Sequence, residues 1–192
     1  MRGPDVLPIF PLHQVLLPEA ALSLRVFERR HLDMLRDSGR HGGGFGVCLI
    51  LSGGEAGVPA TPAAWGVEAR VEDFDTRPDG LLQLRVRGAR RFRARRMRVR
   101  DNGLLMADVG WREPDGDDEL RPEHALLGTV LEHMLERAGQ DDVRVPACRF
   151  DEAGWVGWRL VDLLPLGASQ RLALLQEDDV HARLDRLLGW VG

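Results

Sequence analysis

Apolar and polar residues follow a period of two along the first half of the chain. From residue 21 to 27 every second residue is leucine or valine, which predicts a strand with one face on a core. Upstream, residues 7–18 form apolar runs broken by three prolines. Because proline lacks the N–H that a sheet ladder needs, these runs favour edge strands and turns. Residues 28–39 then carry leucines among charges, which predicts a short helix that ends near Gly39.

A second group of strands is predicted between residues 45 and 111. An apolar run at 47–51 lies between glycine clusters, as in a buried strand with turns at both ends. These glycines do not indicate a phosphate-binding loop, which would place them between a strand and a helix. Four alternating segments follow, separated by turns at Asp79-Gly80, Gly88-Ala89 and Asn102-Gly103: 65–74, 81–88, 90–100 and 104–111. We expect a closed or half-closed antiparallel barrel with one helix.

The second part of the chain is predicted to be helical. Residues 112–124 are acidic, contain two prolines and show no apolar period, so we place the joint between domains 1–117 and 118–192 there. Beyond it, apolar residues recur three and four positions apart, as on one face of a helix. The predicted helices run from Pro122 to Gly139, with Leu127, Val130, Leu131, Met134 and Leu135 on one face; from Trp155 to Pro165; from a cap at Ser169; and from a cap at Asp178 or Asp179. The predicted fold class is α+β.

Composition excludes several kinds of chemistry. All 26 basic residues are arginine, and the 192 residues contain no lysine. This excludes a P-loop, a Schiff-base lysine and a Ser-Lys dyad. The bias towards Arg, Ala, Gly and Leu is typical of GC-rich coding sequence and indicates a bacterial source. No apolar run approaches the roughly 20 residues that cross a bilayer, and the first residues do not read as a secretory signal. We therefore expect a cytoplasmic protein without membrane association.

No catalytic, metal or cofactor site is predicted. The six histidines form no HExxH motif and no pair four positions apart, and none of the four serines lies in GxSxG. Cys48 and Cys148 belong to no CxxC pair, so both are interpreted as inert. Paired carboxylates such as Asp117-Asp118 lie where solvation explains them. An enzyme whose active site leaves no motif stays open as a third alternative.

The opening of the chain carries a family resemblance. Residues 8–34 fit PxFPLxxVLxPxxxLxLRxFExRxxxM, and a glycine-flanked apolar strand follows. This run resembles the N-terminal domain of the Lon protease family, which also occurs as stand-alone proteins in bacteria. Later blocks fit the family in order, including Gly66, Gly88 and residues 159–188. At positions 29 and 31 the chain has Arg and His, where the family commonly has Pro and Tyr.

The resemblance implies both a fold and a role. The family has a β-rich pseudo-barrel, similar to the PUA-like fold, followed by a helical bundle. In full-length Lon proteases this module is thought to recognise substrate and help organise the oligomer, while separate ATPase and protease domains carry the chemistry. We expect neither of those domains in 192 residues. The implied function is a non-catalytic module that recognises unfolded or extended polypeptide, with its oligomeric state left open.

Eight residues are candidate binding positions. Some have a structural alternative, since a carboxylate in the first turn of a helix interacts with its dipole, and tryptophans at helical spacing favour core packing. The candidates are Phe27, Glu28, Arg30, Phe74, Arg91, Phe92, Trp155 and Trp158.

The main alternative function is RNA binding by a PUA-like module. Residues 85–100 contain nine arginines and no acid, and a positive strand face beside Phe92 suits a phosphate backbone and a stacked base. A net charge of −4 and the acidic segment that follows argue against it. Solvation, intramolecular pairing and an acidic protein partner are the other interpretations of this stripe. Its residues are Arg85, Arg87, Arg93, Arg95, Arg98 and Arg100.

Overall fold

The chain forms two compact units. The computed structural model describes residues 5–55, 59–76, 78, 81–137 and 145–191, without the side chain of His41. The first unit spans Met1–Glu113 and the second Pro114–Gly192. The first holds a mixed sheet with one helix and the second is helical. The α+β fold class is thereby confirmed.

Six strands and one helix make up the described part of the first unit. The sheet order is β2-β5-β4-β3-β1-β6, and β5 also pairs with β6. The pairings of five strands therefore form a cycle, with β2 added to the outer side of β5. The elements are β1 Asp5–Leu12, β2 Ala21–Val26, α1 Arg29–His41, β3 Phe45–Ser52, β4 Thr61–Thr76, β5 Leu82–Val99 and β6 Leu105–Trp111.

One strand pair differs from the predicted antiparallel arrangement. β1 and β3 are parallel, with Ile9 opposite Gly46 and Leu12 opposite Leu49. A parallel pair needs a long crossover connection, and β2 with α1 supplies one between these strands. The sheet is therefore mixed, and the prediction that all its pairs are antiparallel is wrong for this pair.

The two prolines of β1 lie in different halves of the strand. Pro8 pairs with Met106 of β6, and Pro11 pairs with Cys48 of β3. Only Ile9 has register partners on both sides. β1 is thus not an edge strand of the sheet. Each proline nevertheless has a register partner on one side only, as at a sheet edge, where a residue without an N–H is tolerated.

The predicted turn at Gly88-Ala89 is absent, and β5 runs through it as one strand. Gly88 exchanges backbone hydrogen bonds with the preceding loop, donating to Ala20 O at 2.9 Å and accepting from Glu19 N at 2.8 Å. A Cβ at Gly88 would lie 1.9 Å from Leu17 O. Glycine is needed here because the two backbones approach closely. In the sequence, such a glycine cannot be distinguished from one that forms a turn.

Two other glycines do end elements. α1 continues past Gly39 to His41 and ends at Gly42, whose φ of +64° is left-handed, so the predicted end lies three residues too early. The turn between β5 and β6 has Gly103 at φ +81°, and Asn102 Oδ1 accepts the Leu104 N–H at 3.1 Å. The predicted turn at Asp79-Gly80 lies outside the described residues.

The described part of the second unit contains four α-helices. Asp179 caps the last one, because its Oδ1 accepts the N–H groups of His181 at 2.8 Å and Ala182 at 3.0 Å. These backbone hydrogen bonds lower the pKa of Asp179. Ser169 lies inside its helix and Gly167 precedes it, so the predicted cap is wrong. The helices are α2 Ala125–Arg137, α3 Ala153–Leu163, α4 Ala168–Leu175 and α5 Val180–Val191, with 3₁₀ turns at Pro122–His124 and Ala147–Asp151.

None of the described helices is both long and apolar enough to span a membrane. The predicted end of α2 at Gly139 lies outside the described residues.

Candidate functional site

A groove of about 600 Å³ lies in the first unit. This volume falls within the range of known ligand pockets. Its walls come from the start of β1, the second half of α1, the glycines after α1, and parts of β4, β5 and β6. The lining residues are Asp5, Val6, Leu7, Pro8, Met34, Asp37, Ser38, Gly43, Gly44, Glu68, Arg90, Arg100, Leu104, Met106 and Trp111.

The groove has apolar surface that the fold only partly covers. Leu7, Met34 and Met106 are buried, but Val6 keeps 45% of its surface exposed, and Trp111 is half-buried. Strand alternation explains this, since Leu7 faces the core while its neighbour Val6 faces outward. An occupant with apolar side chains would cover Val6 and the Trp111 ring.

A chain of polar contacts crosses the groove. Glu68 is 5% exposed, and its Oε2 lies 3.4 Å from Arg90 Nε and 3.5 Å from Arg70 Nη2. The Arg90 guanidinium lies over the Trp111 ring at 4.0 Å. Trp111 Nε1 in turn donates to Asp5 Oδ2 at 2.6 Å. These contacts fix the Trp111 ring from both its face and its edge.

Glu68 is held deep in the groove by the backbone next to it. A Cβ at Gly44 would lie 2.5 Å from Ala69 O and 2.9 Å from Glu68 Cγ. The glycine therefore lets the segment after α1 pass directly against β4. A buried carboxylate is costly without partners, and the two arginines beside Glu68 supply them.

The groove lining has no arrangement for nucleophilic catalysis. Among the described residues that line it, Ser38 carries the one hydroxyl group, and neither histidine nor cysteine is present. The described part of the chain also contains no group of three or more His, Cys, Asp or Glu side chains placed to hold a metal ion. Cys48 is buried in the core, and burial raises the pKa of its thiol to about 12.

Glu28 and Arg30 come together at the start of α1. Arg30 Nε lies 2.9 Å from Glu28 Oε2, and Arg30 Nη1 donates to Gly103 O at 2.9 Å. Arg30 thereby ties the helix start to the turn between β5 and β6. These contacts suit a structural role, and neither side chain lines the groove. Phe27, the residue before them, is 59% exposed.

The other candidates of the first unit separate into core and surface. Phe92 is fully buried and packs in a cluster with Ile9 and Ala107, so its ring offers no surface to a ligand. Arg91 is also buried, at 5% exposure, whereas Phe74 is 70% exposed near the end of β4.

Both candidate tryptophans of the second unit pack inside that unit. Trp155 meets Phe150 edge-on, with ring centroids 5.3 Å apart. Trp158 is 7% exposed, and the Arg183 guanidinium covers its ring at 3.7 Å. The core-packing alternative therefore describes Trp158.

The arginine stripe is partly neutralised by neighbouring strands. Glu72 of β4 binds Arg87 and lies 3.6 Å from Arg85 Nε, and the Arg87 hydrogen bond lowers the pKa of Glu72. Asp108 of β6 lies 2.6 Å from Arg98 Nη1. Arg93, Arg95 and Arg100 are exposed and form no ion pair with the described residues. RNA binding by the stripe stays an alternative prediction.

Of the candidate residues named from the sequence, Arg100 of the arginine stripe lines the groove, and the other lining residues were not among the candidates. Glu68 gave a usable signal, because it is the one acid in a strand stretch, 63–69, that is otherwise apolar. Asp5, Arg90 and Trp111 gave none, because strands far apart in the chain bring them together.

Comparison with known proteins identifies the family. Residues 6–191 match the family model of the ATP-dependent protease La (LON) substrate-binding domain. The chain belongs to this family. The resemblance inferred from the residue pattern is thereby confirmed, and the chain is a Lon-type substrate-recognition module.

Solved structures agree with this assignment. The chain is similar to a Lon N-terminal domain protein from Xanthomonas campestris, with 59% identity, a TM-score of 0.84 and coverage of 97% of this chain and 98% of that one. It is also similar to the N-terminal domain of the Mycobacterium avium complex Lon protease, with 18% identity, a TM-score of 0.70 and coverage of 97% of each chain. The second likeness shows the fold alone. The comparison with curated proteins returned no match.

Proposed function

We propose that this protein binds unfolded or extended polypeptide in the groove of its first unit and does not transform it. The observation that carries the proposal is the pairing of uncovered apolar surface with fixed charges in a member of a substrate-binding family. The cycle of strand pairings supports the finer description of this unit as a PUA-like pseudo-barrel.

The groove combines features of a protein-binding hot spot. Tryptophan and arginine are enriched among residues that dominate binding energy, and here Trp111 and Arg90 stack on each other. Because Asp5 and Glu68 hold this pair in place, little side-chain entropy is lost when a ligand covers it. Preorganised contacts of this kind favour affinity.

An extended chain fits the groove better than a folded surface does. Folded proteins keep large apolar side chains inside, so the side chains that would cover Val6 and Trp111 become available mainly in unfolded segments. The charged rim, with Asp37 and Arg100 as well as Arg90, offers partners for backbone and polar groups. This mixture tolerates many sequences, as a recognition module for unfolded clients requires.

The proposal includes the absence of catalysis by this chain. A powered protease of the Lon type needs a P-loop lysine and a Ser-Lys dyad, and the 192 residues contain no lysine. The groove itself presents no nucleophile paired with a base among its described residues. Its clients would leave the site chemically unchanged.

Groove substitutions test the proposal. Val6→Asp places a charge on exposed apolar surface without touching the core, so we expect a fluorescent, permanently unfolded protein to bind about tenfold more weakly. Uncovered valine surface contributes about 1.5 kcal/mol when buried, which corresponds to that factor. Fluorescence anisotropy measures the affinity, and circular dichroism checks the fold.

Leu51→Asp is the matched control. Leu51 is 61% exposed and also lies in the first unit, but it does not line the groove. Equal losses in both variants, or no binding of the unfolded protein by the wild type, would contradict the proposal.

A further inference from the structure

We propose that the outer half of β4 is a second recognition site, which binds an extended, basic polypeptide by strand addition. This inference rests on the proposed function and names a substrate class for it. The site is residues 70–76, called the β4 edge below.

The β4 edge lacks a neighbour on one side. β5 pairs with β4 as far as Thr76, whereas β3 pairs with it only as far as Ala69. No other strand of the described chain pairs with residues 70–76. Alternate N–H and C=O groups along this side therefore point away from the sheet, as a template for an incoming strand.

Both faces of the β4 edge are open. All of its residues are exposed, including Val71 at 45% and Phe74 at 70%. Among the described strands, β2 also has a neighbour on one side only, but its core-facing residues Leu24 and Val26 are buried at 4% and 2% exposure. A partner strand thus gains more apolar cover at the β4 edge than at β2.

An apolar row across the sheet stops at this edge. Leu24 of β2 lies opposite Leu84 of β5, and Leu84 lies opposite Phe74. Leu24 and Leu84 are buried, while Phe74 ends the row uncovered. An aliphatic or aromatic side chain of an added strand would take the next place in the row.

Charge determines which strand fits. Glu72 is bound by Arg85 and Arg87, and Arg70 pairs with Glu68. Asp73, which lies opposite Arg85 in the register, and Asp75 form no ion pair with described residues. Because side chains alternate between faces, these two aspartates lie on the face opposite Phe74. The complementary strand therefore carries Lys or Arg on one face and apolar residues on the other.

Asp73 also protects the edge. Its Oδ1 accepts the N–H of Phe74 at 2.9 Å, so this backbone donor is satisfied in the free protein. A register shift between Val71 and Asp73 bends the strand at the same place. The hydrogen bond and the register shift both hinder unspecific pairing between sheet edges. When a carbonyl of an incoming strand replaces the carboxylate at the Phe74 N–H, Asp73 becomes available to the basic side chains of that strand.

Peptide binding tests the inference. The probe is a fluorescent peptide of about eight residues, near the usual strand length, that alternates lysine and isoleucine. We expect it to bind at least about tenfold more tightly than a glutamate and isoleucine peptide, and binding should weaken with salt. Two further peptides carry N-methyl groups at alternate backbone positions, one at the odd and one at the even positions. One of them should lose binding and the other should keep it, because only one set of N–H groups faces β4.

Variants connect the binding to the β4 edge. Phe74→Ser and Asp75→Arg should each weaken the lysine peptide by about tenfold or more, and binding should slow amide exchange in residues 70–76. Val99→Ser is the control, since Val99 is 67% exposed and lies outside the site.

The outcomes separate this inference from the proposed function. If the unfolded protein binds through the groove while the lysine peptide fails to bind, or binds Phe74→Ser as well as wild type, the β4 edge is not a recognition site. If neither probe binds, the proposed function fails as well. If Phe74→Ser loses binding of the lysine peptide while Val6→Asp binds this peptide as well as wild type does, the result supports two separate sites.

Discussion

His31 shows how burial sets the behaviour of a single side chain. Its ring stacks on Phe10, with centroids 4.2 Å apart, and it is 4% exposed. Burial, which removes water from the imidazolium, lowers its pKa from 6.5 to about 4; Glu28 opposes this shift and Arg30 adds to it. His31 is therefore a neutral aromatic residue of the core at neutral pH.

The lowered pKa of His31 predicts a pH-dependent stability. Between pH 6.5 and about 4 the unfolded chain binds a proton at His31 and the folded chain does not. The contribution of this group is thus complete above pH 6.5 and falls with decreasing pH, by about 1.4 kcal/mol per pH unit at most. When urea denaturation is measured across this pH range, the free energy of unfolding should depend less steeply on pH for His31→Phe than for wild type.

The control for this prediction is His13→Phe, because His13 is exposed. It should keep the wild-type dependence of the free energy of unfolding on pH. Parallel slopes for wild type and His31→Phe would show that the His31 pKa is unchanged on folding.

At the scale of elements, glycines with the same sequence appearance have opposite roles. Gly39 lies within α1, and nothing is within 4 Å of a Cβ built on it. Gly88 lies within β5, where a Cβ would overlap Leu17 O. Sequence analysis interpreted both as element ends, because a glycine that permits close packing and one that permits a turn are identical in sequence.

Alanine at these two positions should change stability in opposite directions. Gly88→Ala forces the loop at Leu17 away from β5, and we expect a loss of about 1–3 kcal/mol, typical of overpacking. Gly39→Ala should raise the free energy of unfolding by up to about 1 kcal/mol, because alanine is the better helix former. Thermal and urea denaturation measure both, and a neutral Gly88→Ala would mean that the loop moves without cost.

At the scale of the whole molecule, a buried ion pair lies at the start of the second unit. Asp115 Oδ2 accepts from Arg183 Nη2 at 2.5 Å, and Arg183 is fully buried. The Ala153 N–H donates to Asp118 O at 2.9 Å. The start of the acidic segment is therefore packed as part of the second unit, which begins at Pro114, whereas the sequence placed the joint after Asp117.

Removing Asp115 should destabilise the protein strongly. Asp115→Ala leaves the buried Arg183 without this carboxylate, and breaking a buried pair from one side costs about 3–5 kcal/mol. The free energy of unfolding measured by urea denaturation should fall by this amount. Asp117→Ala, an exposed position in the same segment, should change it by less than about 0.5 kcal/mol; similar losses in both variants would assign no special role to the buried pair.

The sequence by itself determined the family, the fold class and most elements. These signals are local: alternation located β2, a glycine-flanked apolar run located the strand at 47–51, and helical spacing located α3 and α5, with the cap of α5 at Asp178 or Asp179. The absence of lysine likewise needs no structure to exclude whole classes of chemistry.

Tertiary structure alone decided the sites. The groove joins Asp5, Glu68, Arg90 and Trp111 from four strands, and the β4 edge exists because β3 ends its pairing at Ala69. Both depend on which strands become neighbours and where their pairing stops. These are properties of long-range register, and a pattern read along one strand does not contain them.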